Sequence, residues 1–438
     1  MSRQVATFDV AIVGGGPAGI AAAVTAAGRG KRVALIESAG WLGGQIWRGR
    51  EAADSPAARE WLSALDRSST HIFTGTTVIG APAPGVLLAE RGSEACEFQA
   101  AKTILAVGAR ELFIPFPGWT LPNVFGPGGL QVLAKAGWPV AGKRVVIAGS
   151  GPLLIAAAAH LRQAGARIVF IAEQADWRAL LGFGAKLPWL APDKLVQGLG
   201  YQWRLMGVPY RAGWWPVEAH GKDRVEAVTL RNASRQRTLA CDYLACGFGL
   251  VPNLELPRLC GCRVHEGSVW VDEWQETSVP GVYCAGEPTG IGGLDRALVE
   301  GRIAALAALE DAHQARRLFA ARQRARRFSQ TMAATFAPRP ELKKLAKPDT
   351  IVCRCEDVVR RDLDAFDHWR AAKLHTRCGM GACQGRICGG AVQVLYGWEN
   401  DSVRPPIFPV KVGTLAESGN GLVAEPGSKL NKKTQPSL

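Results

Sequence analysis

Two βαβ units and a dense cysteine cluster near the C-terminus predict an α/β fold with two Rossmann-like lobes and a small helical third domain. Three observations carry this reading. The first unit runs from Phe8 to Glu37, the second from Lys143 to Glu173, and five of the 11 cysteines fall between Cys353 and Cys388. The second unit repeats the first as an internal repeat of fold. The length of 438 residues agrees, at roughly 150 residues per domain.

The first unit reads FDVAIVGGGPAGIAAAVTAAGRGKRVALIE. An apolar strand, Val10 to Val13, enters a glycine-rich turn; a helix-forming stretch, Ala18 to Ala27, and a second strand, Arg32 to Ile36, follow. Gly14, Gly16 and Gly19 stand in G-x-G-x-x-G register. In that register the first glycine permits a tight turn, the second lets the backbone approach a pyrophosphate, and the third allows close helix–strand packing. The diphosphate sits on the helix N-terminus, where free N–H groups and the dipole favour anions. Glu37, about 20 residues on, is positioned to accept hydrogen bonds from ribose hydroxyls.

Three later segments extend the site. Trp41 to Gln45 reads WLGGQ, and Gly43, Gly44 and Gln45 suit a backbone loop lying against a flavin. The apolar strand TILAVGAR ends at Gly108. The stretch GVYCAGE runs a strand into Gly286 and Glu287, with Gly290 to Gly293 and a helix from Leu294 to Ala308 behind it. These segments, in this order and spacing, resemble flavoproteins of the pyridine-nucleotide-disulfide oxidoreductase fold. The resemblance implies noncovalent FAD, with the late strand–Gly–acid segment holding the ribityl chain. Glu287 stands where that family usually has Asp, which implies a longer or indirect contact.

The second unit reads KRVVIAGSGPLLIAAAAHLRQAGARIVFIAE. Gly149, Gly151 and the terminal Glu173 are in place, but Leu154 stands where the third glycine belongs. Looser or shifted helix–strand packing is expected there. The resemblance implies NAD(H) in this lobe; another adenine nucleotide, or an empty site kept for structure, stays open. Glu173 suits a ribose diol and disfavours a 2′-phosphate. CGFGLVPN, Cys246 to Asn253, matches the family's return segment out of the inserted domain. The expected division is therefore a discontinuous FAD domain, 1–115 and 273–330; a second nucleotide domain, 116–272; a linker, 331–349; a cysteine-rich domain, 350–412; and a flexible tail, 413–438. A redox dithiol is missing from the first domain. Cys241 and Cys246 lie in a strand-like stretch, which puts them roughly 16 Å apart on opposite faces. They and the Cys260–Cys262 pair are expected to be buried structural cysteines.

The C-terminal cluster comprises Cys353-Arg-Cys355 and CGMGACQGRIC, Cys378 to Cys388. Thiolates at this density select zinc or iron–sulfur. A [2Fe–2S] centre needs four thiolates with N–H groups aimed at its sulfurs, and the interleaved glycines allow such a backbone approach. Arg354, Arg377 and Arg386 are expected to offset its negative charge, and the helix after Cys388 to point its positive end at it. Five cysteines compete for four positions. TRCGMGACQGRIC resembles the BFD-like [2Fe–2S] domain of opine-oxidase-type and glycerol-3-phosphate-dehydrogenase-type proteins. That resemblance implies Cys353, Cys355, Cys383 and Cys388 as ligands, leaving Cys378 as a bystander able to substitute. The seven histidines show no metal-ligand spacing.

The resemblance now covers nearly the whole chain. It is similar to the FAD-binding α subunits of heteromeric opine oxidases, D-hydroxyproline dehydrogenases, proline dehydrogenases and hydrogen cyanide synthase. This implies a flavin-containing β subunit of the amino-acid oxidase type that oxidises a C–N bond, with room for a small γ subunit. The chain itself then passes electrons through FAD and [2Fe–2S] to an acceptor such as a quinone. A stand-alone NAD(P)H-dependent FAD oxidoreductase is the rival enzyme reading, and a non-catalytic assembly or redox-sensing module the non-enzyme one. The net charge of +14 permits nucleic acid or an anionic surface, but no nucleic-acid motif accompanies the basic runs Arg322 to Arg327 and Lys432-Lys433; a solvated helix face explains them. No transmembrane segment and no secretory signal is evident, so a cytoplasmic protein is expected, with peripheral placement at the inner face of the membrane left open.

Overall fold

The computed structural model describes residues 4–48, 55–400 and 402–418. The first lobe is built on a sheet whose order is His71–Phe73, Val33–Ile36, Gln4–Val13, Glu94–Leu105, Val86–Arg91, Thr76–Ala83. Val282–Cys284 joins parallel to Glu94–Leu105, so the late segment returns to the first sheet. Val10 to Val13 pair in parallel with Val33 to Ile36, as a βαβ crossover requires. The crossover helix, Pro17–Ala27, is nearly all small apolar residues and is buried on most of its surface. It packs against the helix Leu294–Ala308, where a Cβ on Gly301 would lie 2.1 Å from the Ala18 carbonyl oxygen. Small residues here let two helices approach closely over the glycine turn.

The second lobe carries a five-stranded parallel sheet, in the order Tyr210–Ala212, Arg167–Glu173, Arg144–Gly149, Tyr243–Gly247, Val124–Phe125. A three-stranded antiparallel sheet, Trp215–His220, Ala227–Arg231 and Gln236–Ala240, lies beside it. Leu154, at the missing-glycine position, is 1% exposed and belongs to the core with Leu130, Val145 and Ile147. The packing anticipated as loose is filled by its side chain. The two lobes are joined by a ribbon of Ala109–Glu111 and Leu250–Pro252.

Three of the expected boundaries fall differently. Leu254, Leu256, Cys262 and Val269 share a core cluster with Phe8, Ala11 and Cys284, so the chain is back in the first lobe well before 272. The linker 331–349 is packed: the helix Phe319–Thr335 runs into it, and Leu342 and Leu345 are buried in the second lobe's core. The tail begins with a helix, Val412–Ser418, tied to the first lobe by Lys411, whose N–H donates to Glu90 at 2.9 Å; residues 419–438 lie outside the described residues. The arginine run is a solvated face only in part: Arg324 and Arg327 are exposed, the other two are engaged. Arg322 is buried and donates to the Glu273 carbonyl, and Arg326 donates to Gln275 at 3.1 Å.

The cysteine-rich domain is a short hairpin, Ile351–Cys353 with Val358–Val359, followed by the helices Arg360–Leu363, Trp369–Thr376 and Cys388–Tyr396. Its core holds Val352, Leu363, Trp369 and three cysteines. Among the described residues, no helix is long and apolar enough to cross a membrane.

Candidate cofactor sites

The glycine turn of the first lobe is fixed by the protein on two sides and open on the third. Gly14 has φ +108°, and a Cβ there would sit 2.2 Å from the Ala106 carbonyl oxygen. A Cβ on Gly19 would fall 1.8 Å from the Gly14 carbonyl oxygen. Gly16 differs: no protein atom lies within 4 Å of its Cβ position. Gly108 is open in the same way. Protein packing therefore demands the first and third glycines, while the middle one faces space that a cofactor would fill. The helix behind it starts at Pro17, with Gly16 as its cap and no side chain capping its N–H groups. Those groups are left for an anion. This is the fit expected of a dinucleotide diphosphate.

Gly43 and Gly44 come where the flavin loop was expected. The Gly43 N–H donates to Gly15 at 2.8 Å, and Gly44 abuts the Gly16 Cα. Gln45 is exposed. Glu37 reaches back to the turn: its carboxylate accepts from the Gly15 N–H at 2.6 Å and from Ala39 N–H at 2.7 Å. Gly286 closes over the helix, with its Cβ position 2.9 Å from that of Ala18. Glu287 does not reach outward as a ribityl ligand would. It accepts from the N–H groups of Gly292 at 3.1 Å and Gly293 at 2.8 Å, and burial pushes its carboxyl up.

Sequence reasoning missed the support beneath this site. Glu300 is fully buried and accepts from Gly286 N–H at 3.1 Å, Thr289 Oγ1 at 2.7 Å and Arg296 Nε at 2.8 Å. Arg326 lies 3.5 Å away. A buried carboxylate survives only when charged partners and donors satisfy it. The i,i+4 spacing of Arg296 and Glu300 was the available signal.

The second glycine turn is held similarly but covered. A Cβ on Gly149 would lie 1.7 Å from the Gly247 carbonyl oxygen, whereas Gly151 is unobstructed. Glu173 is buried, and both its oxygens are occupied, by Gly151 N–H and Ala175 N–H, each at 2.8 Å. Burial pushes its carboxyl up to about 7. The chain leaving the long helix lies across this turn. Ser150 Oγ donates to the Phe336 carbonyl at 2.8 Å, Gln174 Nε2 to the Ala337 carbonyl at 3.1 Å, and Arg339 N–H back to Gln174 at 3.1 Å.

All five C-terminal cysteines converge. The sulfurs of Cys353, Cys378 and Cys388 lie within 4.8 Å of one another, all buried. Cys383 adjoins Cys388 and Cys355. Cys378, expected outside the set, thus lies inside the knot, because the turn after Trp369–Thr376 folds it inward with Arg377 at φ +66°. Neighbouring N–H groups sort the thiols. Those of Gly379 and Glu356 serve Cys353, that of Cys383 serves Cys355, and those of Ile387 and Gly385 serve Cys383. Thiol and backbone donors pull Cys353 down to about 2 and Cys383 down to about 5. Cys388 opens its helix, on the side the dipole makes favourable to a thiolate. Cys378 instead follows a helix C-terminus, no backbone N–H supports it, and its thiol is pushed up to about 12, chiefly by Cys353. Packed thiols with aimed N–H groups fit a thiolate-bound metal centre.

The arginines named for charge balance are engaged elsewhere: Arg377 with Glu356 at 2.7 Å, Arg354 over the Trp119 ring, Arg386 with the Ile407 and Cys383 carbonyls. The knot also meets the ribbon between the lobes, since the Cβ position of Gly390 is 3.0 Å from Leu112 and 3.4 Å from Val251. Cys241, Cys246, Cys260 and Cys262 are free and sit in or beside the cores, as expected, but Cys241 and Cys246 do not share a strand: Gln236–Ala240 ends before Cys241, and Cys246 lies in the next strand, Tyr243–Gly247.

Two Rossmann-like lobes, one glycine turn open to a dinucleotide and a separate thiol knot define a flavoprotein-type oxidoreductase architecture. The chain belongs to the pyridine nucleotide-disulphide oxidoreductase family, whose pattern matches residues 8–312. It is 34% identical to the HcnB component of hydrogen cyanide synthase from Pseudomonas protegens, covering 88% of this chain and 91% of that protein. It is 31% identical to an opine oxidase subunit of Rhizobium meliloti, covering 94% and 98%. Among solved structures, L-proline dehydrogenase from P. horikoshii shares the fold with a TM-score of 0.67 at 24% identity, over 95% of this chain and 80% of that one. Thioredoxin reductase of T. acidophilum covers 70% of this chain and 99% of its own, with a TM-score of 0.54 at 24% identity.

Proposed function

We propose that this chain is the electron-transfer flavoprotein subunit of a heteromeric dehydrogenase acting on an amino or imino acid of the D-hydroxyproline, proline or opine type. The observation that carries it is the thiol knot seated against the ribbon that follows Gly108, so that the cysteine domain adjoins the flavin lobe. FAD accepts two electrons and can release them singly, which matches it to a [2Fe–2S] group that carries one at a time. In this reading Gly14, Gly16, Gly19, Glu37, Gly43, Gly44, Gln45, Gly108, Gly286 and Glu287 form or brace the FAD site. Cys353, Cys355, Cys383 and Cys388 hold the cluster. The C–N bond is oxidised on a flavin-containing partner, and an acceptor such as a quinone takes the electrons onward. The relatives' names as subunits support a heteromeric assembly.

A stand-alone NAD(P)H reductase is disfavoured. The segment after the long helix lies across the second glycine turn, with Ser150 and Gln174 tied to Phe336 and Ala337, so Gly149, Gly151 and Glu173 serve structure here. The test compares the isolated FAD-loaded chain with the complex co-expressed with a second flavin subunit. Hydroxyproline, proline and opines are offered with an artificial acceptor. Turnover only in the complex, with bleaching of this chain's visible absorbance, supports the reading. Equal turnover by the isolated chain, or fast reduction by NADH alone, overturns it.

A further inference from the structure

Helices that cover a Rossmann sheet normally bury one apolar stripe and turn polar residues outward. The second lobe has two consecutive helices that break this rule, Trp177–Leu190 and Pro192–Arg204. Neither contains a fully buried residue, although both are rich in large apolar side chains. Each has an inner stripe: Phe183, for instance, packs on Phe328 and Phe336. Each also has an outer one. On the first helix Trp177, Leu181, Ala185 and Trp189 recur at every fourth position, and all are exposed. On the second, Val196, Leu199 and Trp203 continue the pattern, with Met206 just beyond. Trp189 is 84% exposed, Trp203 72%, Val196 70% and Leu181 69%. Single exposed apolar residues need no explanation; two adjacent stripes of them, carrying three tryptophans, do.

The charges around the stripes select the occupant. Between Trp177 and Arg211 the cations are Arg178, Lys186, Lys194, Arg204 and Arg211, and the sole acid is Asp193. That acid lies 3.3 Å from Lys194, which also pairs with Asp295 at 3.0 Å. Beside Trp189 a shallow, solvent-open depression of about 500 Å³ lies between the first helix and the long helix Phe319–Thr335. Its walls include Leu190 and Trp189 on the apolar side, and Lys186 and Arg327 on the charged side. Neither cation has a carboxylate partner among the described residues. Exposed tryptophan and aliphatic stripes flanked by cations without carboxylate partners are the composition of a surface lying in a membrane interface. Anionic headgroups supply the missing counter-charge, and the overall charge of +14 adds a long-range attraction.

We propose that the outer face of Trp177–Arg204 docks on an anionic lipid surface, with Trp177, Trp189 and Trp203 at the acyl boundary and Lys186 and Arg327 holding a phosphate-bearing headgroup. The placement suits an acceptor dissolved in the bilayer, but does not depend on the electron route proposed above.

The test is flotation of the full FAD-loaded chain with vesicles of phosphatidylglycerol and phosphatidylethanolamine, against pure phosphatidylcholine. The chain floats with the anionic vesicles, and high salt releases it. Lys186→Ala with Arg327→Ala lowers the affinity about 25-fold, at a factor of about five per cation. Brominated acyl chains quench the wild-type tryptophan fluorescence, and Trp177→Phe/Trp189→Phe/Trp203→Phe removes that quenching. An unchanged flavin spectrum in each variant shows that the fold is kept. Absence of flotation at every composition overturns the proposal, as does undiminished quenching in the triple variant. If the tryptophan variant instead loses the second subunit while no vesicle binds, the face belongs to a protein partner and the lipid assignment is wrong. Flotation and quenching are read on this chain without substrate or partner, whereas the electron route is read from turnover of the wild-type complex, so the two readings fail separately.

Discussion

At the scale of single residues, glutamates clamp the glycine turns. Glu37, Glu111, Glu173 and Glu287 each accept from two backbone N–H groups, at Gly15 and Ala39, Gly128 and Gly129, Gly151 and Ala175, Gly292 and Gly293. Glycine-rich turns expose N–H groups that must be satisfied, and a carboxylate meets two at once. Gly16 stands apart from Gly14 and Gly19, since nothing beyond its chain neighbours lies within 4 Å of its Cβ position. Gly16→Val is therefore expected to leave the melting temperature of the apoprotein nearly unchanged and to abolish FAD retention, read from the absorbance of the purified protein. Gly19→Val should fail to fold, because its side chain would enter the Gly14 carbonyl. Glu173 has a pH signature. Its carboxyl ionises near 4.5 in the unfolded chain and at about 7 in the native one. The native state thus holds an extra proton between those values, and stability falls as pH rises through that window, by at most roughly 3 kcal/mol. Denaturant melts across this range should show a shallower slope for Glu173→Gln. A slope identical to wild type would mean that other groups carry it.

At the scale of elements, the Cys388–Tyr396 helix starts at the thiol knot, while the Trp369–Thr376 helix ends there. Dipoles of opposite sense meet at Cys388 and Cys378, favouring thiolate at the first and thiol at the second, but without a metal the neighbouring thiols outweigh the dipole at Cys388 and keep its proton on. Cys388→Ser should lose iron and sulfide, as should Ser at Cys353, Cys355 or Cys383. Cys378→Ser should load fully but shift the electron paramagnetic resonance signal, since its S–H adjoins Cys353 and Cys388. Full loading of Cys383→Ser with loss in Cys378→Ser would replace the ligand set. The segment after Phe319–Thr335 acts as an element too. Leu342, with no exposed surface, anchors it in the second lobe. Leu342→Ala should cost about 2–5 kcal/mol, measured by chemical denaturation.

At the scale of the whole molecule, the cysteine domain touches both lobes and the ribbon: Gly390 meets Leu112 and the ribbon's Val251, Trp119 donates to the Ile351 carbonyl at 2.6 Å, and Ile407 N–H donates to the Ile79 carbonyl of the first lobe at 3.0 Å. Removing metal should therefore be felt beyond that domain. Without it, Cys378 and Cys388 hold their protons while Cys353 and Cys383 are pulled toward thiolate; a metal ion ionises all its ligands at once. Chelation is expected to raise hydrogen exchange across residues 350–400 and along Ala109–Glu111, with the first sheet's core unaffected. Exchange confined to the cysteine domain would show that the contact carries no stability.

The two lobes, their order and the glycine turns could be read from the sequence, because strand, turn, helix and acid recur at fixed local spacing in both units. So could the thiol cluster, whose density in a short glycine-rich stretch has few other uses. What the chain's order could not give was contact between distant segments. Glu287 is drawn back to Gly292 and Gly293 because its own loop leaves N–H groups to satisfy. Leu154 fills a core that no glycine rule describes. Phe336 and Ala337 cover the second glycine turn because Ser150 and Gln174 present donors there. Cys378 enters the thiol knot because a left-handed Arg377 turns it inward. Local periodicity fixes elements; which polar groups and thiols meet depends on long-range packing, and that is settled only when the lobes close on one another.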